Sequence, residues 1–225
     1  MDVKKLAAEK AVDRIKEDMV VGLGTGSTAF WAIEKLGKRI KEGLRIKAVA
    51  TSLQTEELAR ERAIPLLSFA ALEAIDVTID GADEVDQNGN LIKGGGGALL
   101  REKIVAFHTK TYLTVVDESK LVKQLGRFPL PVEIVPFGVE RTLRQLEKQF
   151  GPAPLRRANG KAFVTDNGNL IADLHLFPIS DPGALNKALH DIPGVVETGL
   201  FLREMITTVM VGRKDGTVEE MSFNR

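Results

Sequence analysis

Short runs of β-branched and aliphatic residues alternate with helix-patterned stretches along the first half of this chain, and no other feature constrains its fold as strongly. Residues 19–23, 44–50, 74–79 and 111–116 each read as a strand. The run at 74–79 is short and rich in β-branched residues, so it reads as a buried parallel strand. Between the strands, residues 29–41, 51–63 and 98–108 carry helical spacing, the last through Leu99, Ile104 and Phe107. A leading helix over 3–18 is patterned through Leu6, Ala7, Ala11, Val12 and Ile15, and 65–69 is a short extended piece. This alternation predicts an α/β fold: a Rossmann-like, open, mostly parallel sheet with helices on both faces.

The pattern changes at Phe128-Pro129-Leu130-Pro131, whose prolines mark a domain boundary. A strand at 132–135, a helix at 139–150, a hairpin of 162–165 with 170–176 around Asp166-Asn167-Gly168-Asn169, a helix at 182–190 and a strand at 195–201 follow. That is the β-α-β-β-α-β order of a ferredoxin-like α+β domain. Residues 205–212 are apolar again and are predicted to return to the first sheet. The expected division is therefore a catalytic α/β domain of residues 1–127 and 204–225, with a small domain, 128–203, inserted before the C-terminal strands.

With 225 residues, 44% of them hydrophobic, the chain can bury one large core or two unequal ones. Lys+Arg and Asp+Glu balance at 31 each, so no global charge favours nucleic acid or an anionic membrane, and an anion site must be local. No stretch approaches the roughly 20 apolar residues of a membrane span. Residues 1–16 are charged throughout, unlike a signal peptide. A cytoplasmic enzyme is expected. Cysteine is absent, which excludes thiolate nucleophiles and cysteine metal ligands, and His108, His175 and His190 show no metal-ligand spacing. Proton chemistry then falls to carboxylates and lysines.

Those groups are concentrated in one place. The strand at 74–79 runs into Asp80-Gly81-Ala82-Asp83-Glu84, at the edge where open α/β sheets meet their ligands. Soon after come Lys93 and the run Gly94-Gly95-Gly96-Gly97, which opens the helix carrying Glu102 in its first two turns. Four adjacent glycines are costly to order, so the run signals close backbone approach or positive φ, with helix amides available to an anion. Earlier, Gly22-Leu23-Gly24-Thr25-Gly26-Ser27-Thr28 joins a strand to a helix in the manner of a phosphate loop. It has no Walker lysine, its glycines are spaced G-x-G-x-G, and the next strand ends in Thr51-Ser52 instead of an acid for a ribose hydroxyl. A phosphate smaller than a nucleotide's fits better. The strand at 111–116 leads to Asp117-Glu118-Ser119-Lys120, where Lys120 reads either as completing an anion site or as a lysine on a solvated turn.

Taken in order, GTGST, DGADE, KGGGGALLREK and DESK resemble type A ribose-5-phosphate isomerases over the whole chain. The resemblance implies interconversion of D-ribose 5-phosphate and D-ribulose 5-phosphate through a cis-enediolate, with no metal and no cofactor, in a homodimer or homotetramer. It implies Glu102 as the base, Asp80 and Asp83 in ring opening and hydroxyl orientation, and Lys93 with the amides of Gly94, Gly95 and Gly96 at the enediolate. Thr25, Gly26, Ser27, Thr28 and Lys120 would hold the phosphate end of the sugar, with Gly81 and Ala82 also lining the substrate. A CoA transferase would instead use Glu102 as a nucleophile, and a non-catalytic sugar-phosphate sensor would dispense with Glu102 or Lys93.

Overall fold

The computed structural model describes residues 2–223; Met1, Asn224 and Arg225, the extremes of the expected larger domain, lie outside the described residues. The described residues form two compact units: 2–82, 101–120 and 203–223 in one, 83–100 and 121–202 in the other.

The first unit is built on a six-stranded sheet in the spatial order Val218–Ser222, Thr208–Gly212, Thr109–Asp117, Ile75–Asp80, Val20–Leu23, Lys47–Ala50. Every pairing is parallel except that of the outermost Val218–Ser222 with Thr208–Gly212. Thr208–Gly212 thus returns to the first sheet as expected. Val21, Leu23, Ala48, Val77 and Ile79 pack on one face with the helices Val3–Val12 and Ser27–Lys41, and Val20 and Val49 pack on the other with Val105 of the helix Leu99–Phe107. Burial on both faces explains why Val, Ile and Leu dominate these strands and why Thr78 and Thr114 within them are also buried. From Val20–Leu23 the chain crosses first to Lys47–Ala50 on one side and then to Ile75–Asp80 on the other. That reversal opens a crevice beyond the C-terminal ends of Val20–Leu23 and Ile75–Asp80.

Three helices are shorter than their periodicity predicts, Leu99–Phe107 by one residue at each end and two others by more. Val3–Val12, capped by the Asp2 carboxylate on the Lys4 and Lys5 amides, ends early. The Arg14 and Ile15 amides tighten onto the carbonyls of Ala11 and Val12, and Asp18 turns left-handed at φ 61°. Ile15 is buried from a turn, so its side chain keeps the helical rhythm after the backbone has left it. The third helix, Leu53–Glu61, begins after Ser52, whose hydroxyl accepts the Thr55 amide at 3.1 Å.

In the second unit Leu170–Leu174, Leu130–Ile134 and Val195–Thr198 form an antiparallel sheet in that order, with the helices Val139–Phe150 and Pro182–His190. The order is that of a ferredoxin-like fold, but its fourth strand differs from the predicted 162–165. Residues 152–156 run along the outer edge instead: the Asp173 amide donates to the Pro154 carbonyl at 2.9 Å and the Arg156 amide to Ile171 at 2.7 Å. The chain then doubles back through the two-residue strands Arg157–Ala158 and Lys161–Ala162, with Asn159 and Gly160 both at positive φ, and Val164 makes one isolated bridge to Leu170.

Residues 83–100, which the sequence pattern assigns to the larger domain, belong to this second unit. Leu91–Ile92 pairs with Leu200–Phe201 and with Glu84–Val85, and the buried Glu84 carboxylate accepts the Gly126 and Phe128 amides at 2.7 Å each. Glu84 of the DGADE motif is therefore committed to structure. No helix among the described residues is long and apolar enough to cross a membrane.

Candidate active site

In the first unit, Asp80 ends its strand fully buried, and its carboxylate is enclosed by donors. Oδ1 accepts the Gly81 amide at 2.8 Å and the Thr25 amide at 3.2 Å; Oδ2 accepts the Tyr112 hydroxyl at 3.0 Å. Gly24 permits this: a Cβ there would lie 2.1 Å from Asp80 Oδ1. Glu102 stands in the first turn of Leu99–Phe107, only 4% exposed, where the positive end of the helix favours a carboxylate.

Tyr112 holds Asp80 through its hydroxyl, and the sequence motifs do not include it. It is the chain's one tyrosine, fully buried in the strand beside Asp80's. A phenol inside an aliphatic strand needs a partner for its hydroxyl, which is the signal that would have found it. Burial raises its pKa well above the ordinary 10, and the charges of Asp80 and then Glu102 raise it further. Since the folded value lies above the unfolded one, Tyr112 contributes stability that is complete below about pH 10 and is lost as pH rises through the raised value. Titration of the native chain to about one unit above the ordinary value is expected to give no tyrosinate absorbance, with the denatured chain titrating normally. A reversible native transition near 10 would contradict the contact with Asp80.

The loop between Val20–Leu23 and Ser27–Lys41 leaves the helix start without a side-chain cap. Its first amides can therefore meet an anion. Of the three loop hydroxyls, Thr25's turns inward, within 3.2 Å of the hydroxyls of Thr51, Ser52 and Thr55; Thr51 in turn donates to the Leu23 carbonyl and Thr55 to that of Gly24. Thr25 thus fixes the loop, and the hydroxyls of Ser27 and Thr28 stay with the helix start. Lys4 Nζ donates to Ser27 Oγ at 3.4 Å and lies 3.9 Å from Asp117 Oδ2. Burial pushes the Asp117 carboxyl up, but the Ser119 hydroxyl and amide, then Lys4 and Lys120, hold it below the usual range. Two ammonium groups therefore stand near Asp117, one of them touching the helix start. No local motif marks Lys4; only the fold brings it there. A cavity of about 620 Å³ opens beside the loop, lined by Gly26, Ser27, Phe30, Trp31, Gln54 and Leu58 among others.

In the second unit, Lys93 is 2% exposed, its amide on the Gly199 carbonyl at 2.8 Å and its Nζ 5.4 Å above the Phe201 ring. Asp83 is half-buried and accepts the Gly95 amide on Oδ2 at 2.8 Å. Gly94 to Gly97 form a turn closed by the Gly97 amide on the Gly94 carbonyl, with Gly94 and Gly97 at φ 101° and 81°, where only glycine sits without strain. Gly95 and Gly96 are exposed at its tip, and Ala82 is half-buried. Among the described residues, no group of three or more His, Cys, Asp or Glu is arranged to hold a metal ion.

Residues 47–216 match the family Ribose 5-phosphate isomerase A (phosphoriboisomerase A). The chain is 50% identical over 225 residues to Ribose-5-phosphate isomerase A of Streptococcus gordonii, covering 100% of this chain and 99% of the relative. It is 48% identical over 221 residues to that of Bacillus mycoides, covering 97% and 99%. Among solved structures it is similar to ribose 5-phosphate isomerase from Plasmodium falciparum, with a TM-score of 0.94 at 39% identity over 99% of each chain. A D-ribose-5-phosphate isomerase in complex with phospho-erythronic acid gives a TM-score of 0.93 at 42% identity over 98% of each chain.

Proposed function

The chain belongs to the ribose 5-phosphate isomerase A family, aldose–ketose isomerases that interconvert D-ribose 5-phosphate and D-ribulose 5-phosphate in the pentose phosphate pathway, and we propose that Glu102 is its proton-transferring base. The observation that carries this role is the burial of the Glu102 carboxylate, 4% exposed, in the first turn of its helix.

The sugar arrives as a furanose. Opening it removes the proton from O1 and delivers one to the ring oxygen as the C1–O bond breaks, the step given to Asp80 with Asp83. Glu102 then takes the C2 hydrogen as a proton; the electron pair becomes the C1–C2 double bond, and negative charge moves onto O1. The Lys93 ammonium and the Gly94, Gly95 and Gly96 amides stabilise that oxygen. Glu102 returns the proton to C1 while O1 gains a proton and O2 loses one, leaving the ketone at C2. Atoms and charge balance without a redox partner. A positioned base contributes about 10²–10⁴-fold to such a step.

Ser27, Thr28 and the first amides of their helix hold the phosphate with Lys4 and Lys120, while Gly26 and Thr25 set the loop, and Gly81 and Ala82 line the sugar. Fixing the remote dianion positions the reacting carbons. Phospho-erythronic acid, bound by a structural relative, is a phosphorylated sugar acid and so fits the same chemistry. A homodimer or homotetramer, which rests on the sequence resemblance alone, and a cytoplasmic location, which rests on the sequence's lack of a membrane-span or signal-like stretch, complete the reading.

Incubating the purified chain with D-ribose 5-phosphate in EDTA and following ribulose 5-phosphate tests it. Conversion at the rate seen without EDTA is expected. A rate abolished by EDTA would put a metal in the mechanism. Absence of both conversion and a substrate-induced rise in melting temperature would overturn the assignment.

A further inference from the structure

Four consecutive glycines form a turn with little rigidity of its own, and the second unit supplies an external clamp for it. Arg156 Nη1 donates to the Gly94 carbonyl at 2.7 Å and to the Gly95 carbonyl at 3.2 Å. The other edge of the same guanidinium is held by Asp173, Nε on Oδ2 at 2.9 Å and Nη2 on Oδ1 at 2.5 Å. Phe163 packs beside this arrangement, its ring 5.9 Å from the guanidinium carbon and against Gly97, where an added Cβ would meet it at 2.4 Å. The side chains of Arg156 and Asp173 are 14% and 21% exposed, and both backbones are tied into the sheet edge through Ile171 and Pro154. A planar fork braced on one side by a carboxylate is the side chain best suited to fix two carbonyls at once.

The consequence follows from the planarity of the trans peptide, whose C=O and N–H point in opposite directions. Where Arg156 takes the Gly94 carbonyl, the next amide, Gly95, points the other way and meets Asp83 at 2.8 Å. Where Arg156 takes the Gly95 carbonyl, the Gly96 amide is likewise turned away from the guanidinium, at the exposed tip of the turn. We propose that Arg156, braced by Asp173, is a positioning residue for the isomerisation: it anchors the carbonyls of the glycine run so that the Gly96 amide is aimed at the enediolate oxygen. This rests on the role given above to the glycine-run amides. It adds that their aim is set from outside the run, by an ion pair distant from it in sequence. Donors fixed before the reaction cost no reorganisation at the transition state, and a loose glycine turn would forfeit that advantage.

The test compares Arg156→Ala, Arg156→Lys and Asp173→Asn in the full chain. Removing an oxyanion donor outright costs about 10²–10³-fold in kcat, so misaiming one is expected to cost about 10- to 100-fold, with KM within about threefold. Arg156→Lys should recover part of the loss, as should added guanidinium ion with Arg156→Ala. Binding of the hydroxamate of phospho-erythronic acid, a planar mimic of the enediolate, should weaken with kcat, while binding of inorganic phosphate stays unchanged. An unchanged kcat, a loss carried by KM, or equal weakening of hydroxamate and phosphate would overturn the proposal. If Arg156→Ala does not fold, Asp173→Asn, which keeps shape and removes charge, carries the same readouts. A parent chain that does not isomerise ribose 5-phosphate refutes the underlying role; an active parent with unimpaired variants refutes only the inference.

Discussion

Replacing Ser27 by Asp is expected to raise KM for ribose 5-phosphate by about 10²–10³-fold while leaving the chain at least as stable as the parent. The two effects have opposite signs because one field acts on both. Ser27 is the first residue of its helix, which lacks a side-chain cap, so a carboxylate there favours folding by about 0.3–1 kcal/mol. It would also reach Lys4, whose ammonium already lies 3.4 Å from Ser27 Oγ. The substrate's phosphate then finds its amides and its lysine taken and a negative charge in place. Two unit charges about 4 Å apart at an effective dielectric of about 20 repel by about 4 kcal/mol. Salt and side-chain movement reduce that figure, and the second charge of the dianion increases it. At about 1.4 kcal/mol per decade, the net is two to three decades in KM. Initial rates across substrate concentration, with denaturant unfolding in parallel, measure both. A KM within threefold of the parent's would move the phosphate elsewhere.

The alternation of strands and helices was legible because buried parallel strands leave short runs rich in β-branched residues and amphipathic helices leave spaced apolar ones. The glycine loop, DGADE and the helix of Glu102 were legible for a related reason: they sit at strand ends and helix starts, where local chemistry leaves a local mark. What the sequence hid is long-range. Arg156 is 62 residues from Gly94 and Lys4 is 23 from Ser27, so no spacing rule connects them. The edge segment 152–156 was masked by Pro152 and Pro154, which read as loop. On an outer edge a proline loses nothing by lacking an N–H, and both prolines use their carbonyls, toward His175 and Asp173. The Asn159-Gly160 turn was a readable signal for the hairpin that displaced the predicted strand at 162–165. The placement of 83–100 in the second unit depends on pairing with Leu200–Phe201, more than a hundred residues later in the chain, and nothing in its own composition announces that partner.

Replacing Glu102 by Gln carries the other large effect: a fall in kcat of at least about 10²-fold and as much as about 10⁴-fold, with KM nearly unchanged. The amide has the shape of the carboxylate and cannot accept the C2 proton. Because Glu102 is 4% exposed, water does not readily substitute for it. Its charge also contributes to the raised pKa of Tyr112, so the phenol in the variant should ionise at a lower pH than in the parent, a second sign that the side chain was replaced in a folded chain. The most direct measurement follows deuterium from C2 of ribose 5-phosphate in the parent and in Glu102→Gln. Proton transfer by a carboxylate predicts that part of the label reaches C1 of ribulose 5-phosphate and part is lost to water, and that the variant shows neither at an appreciable rate. Full retention of the label at C1, at a rate the substitution leaves untouched, would mean a hydride shift and would contradict the role of Glu102.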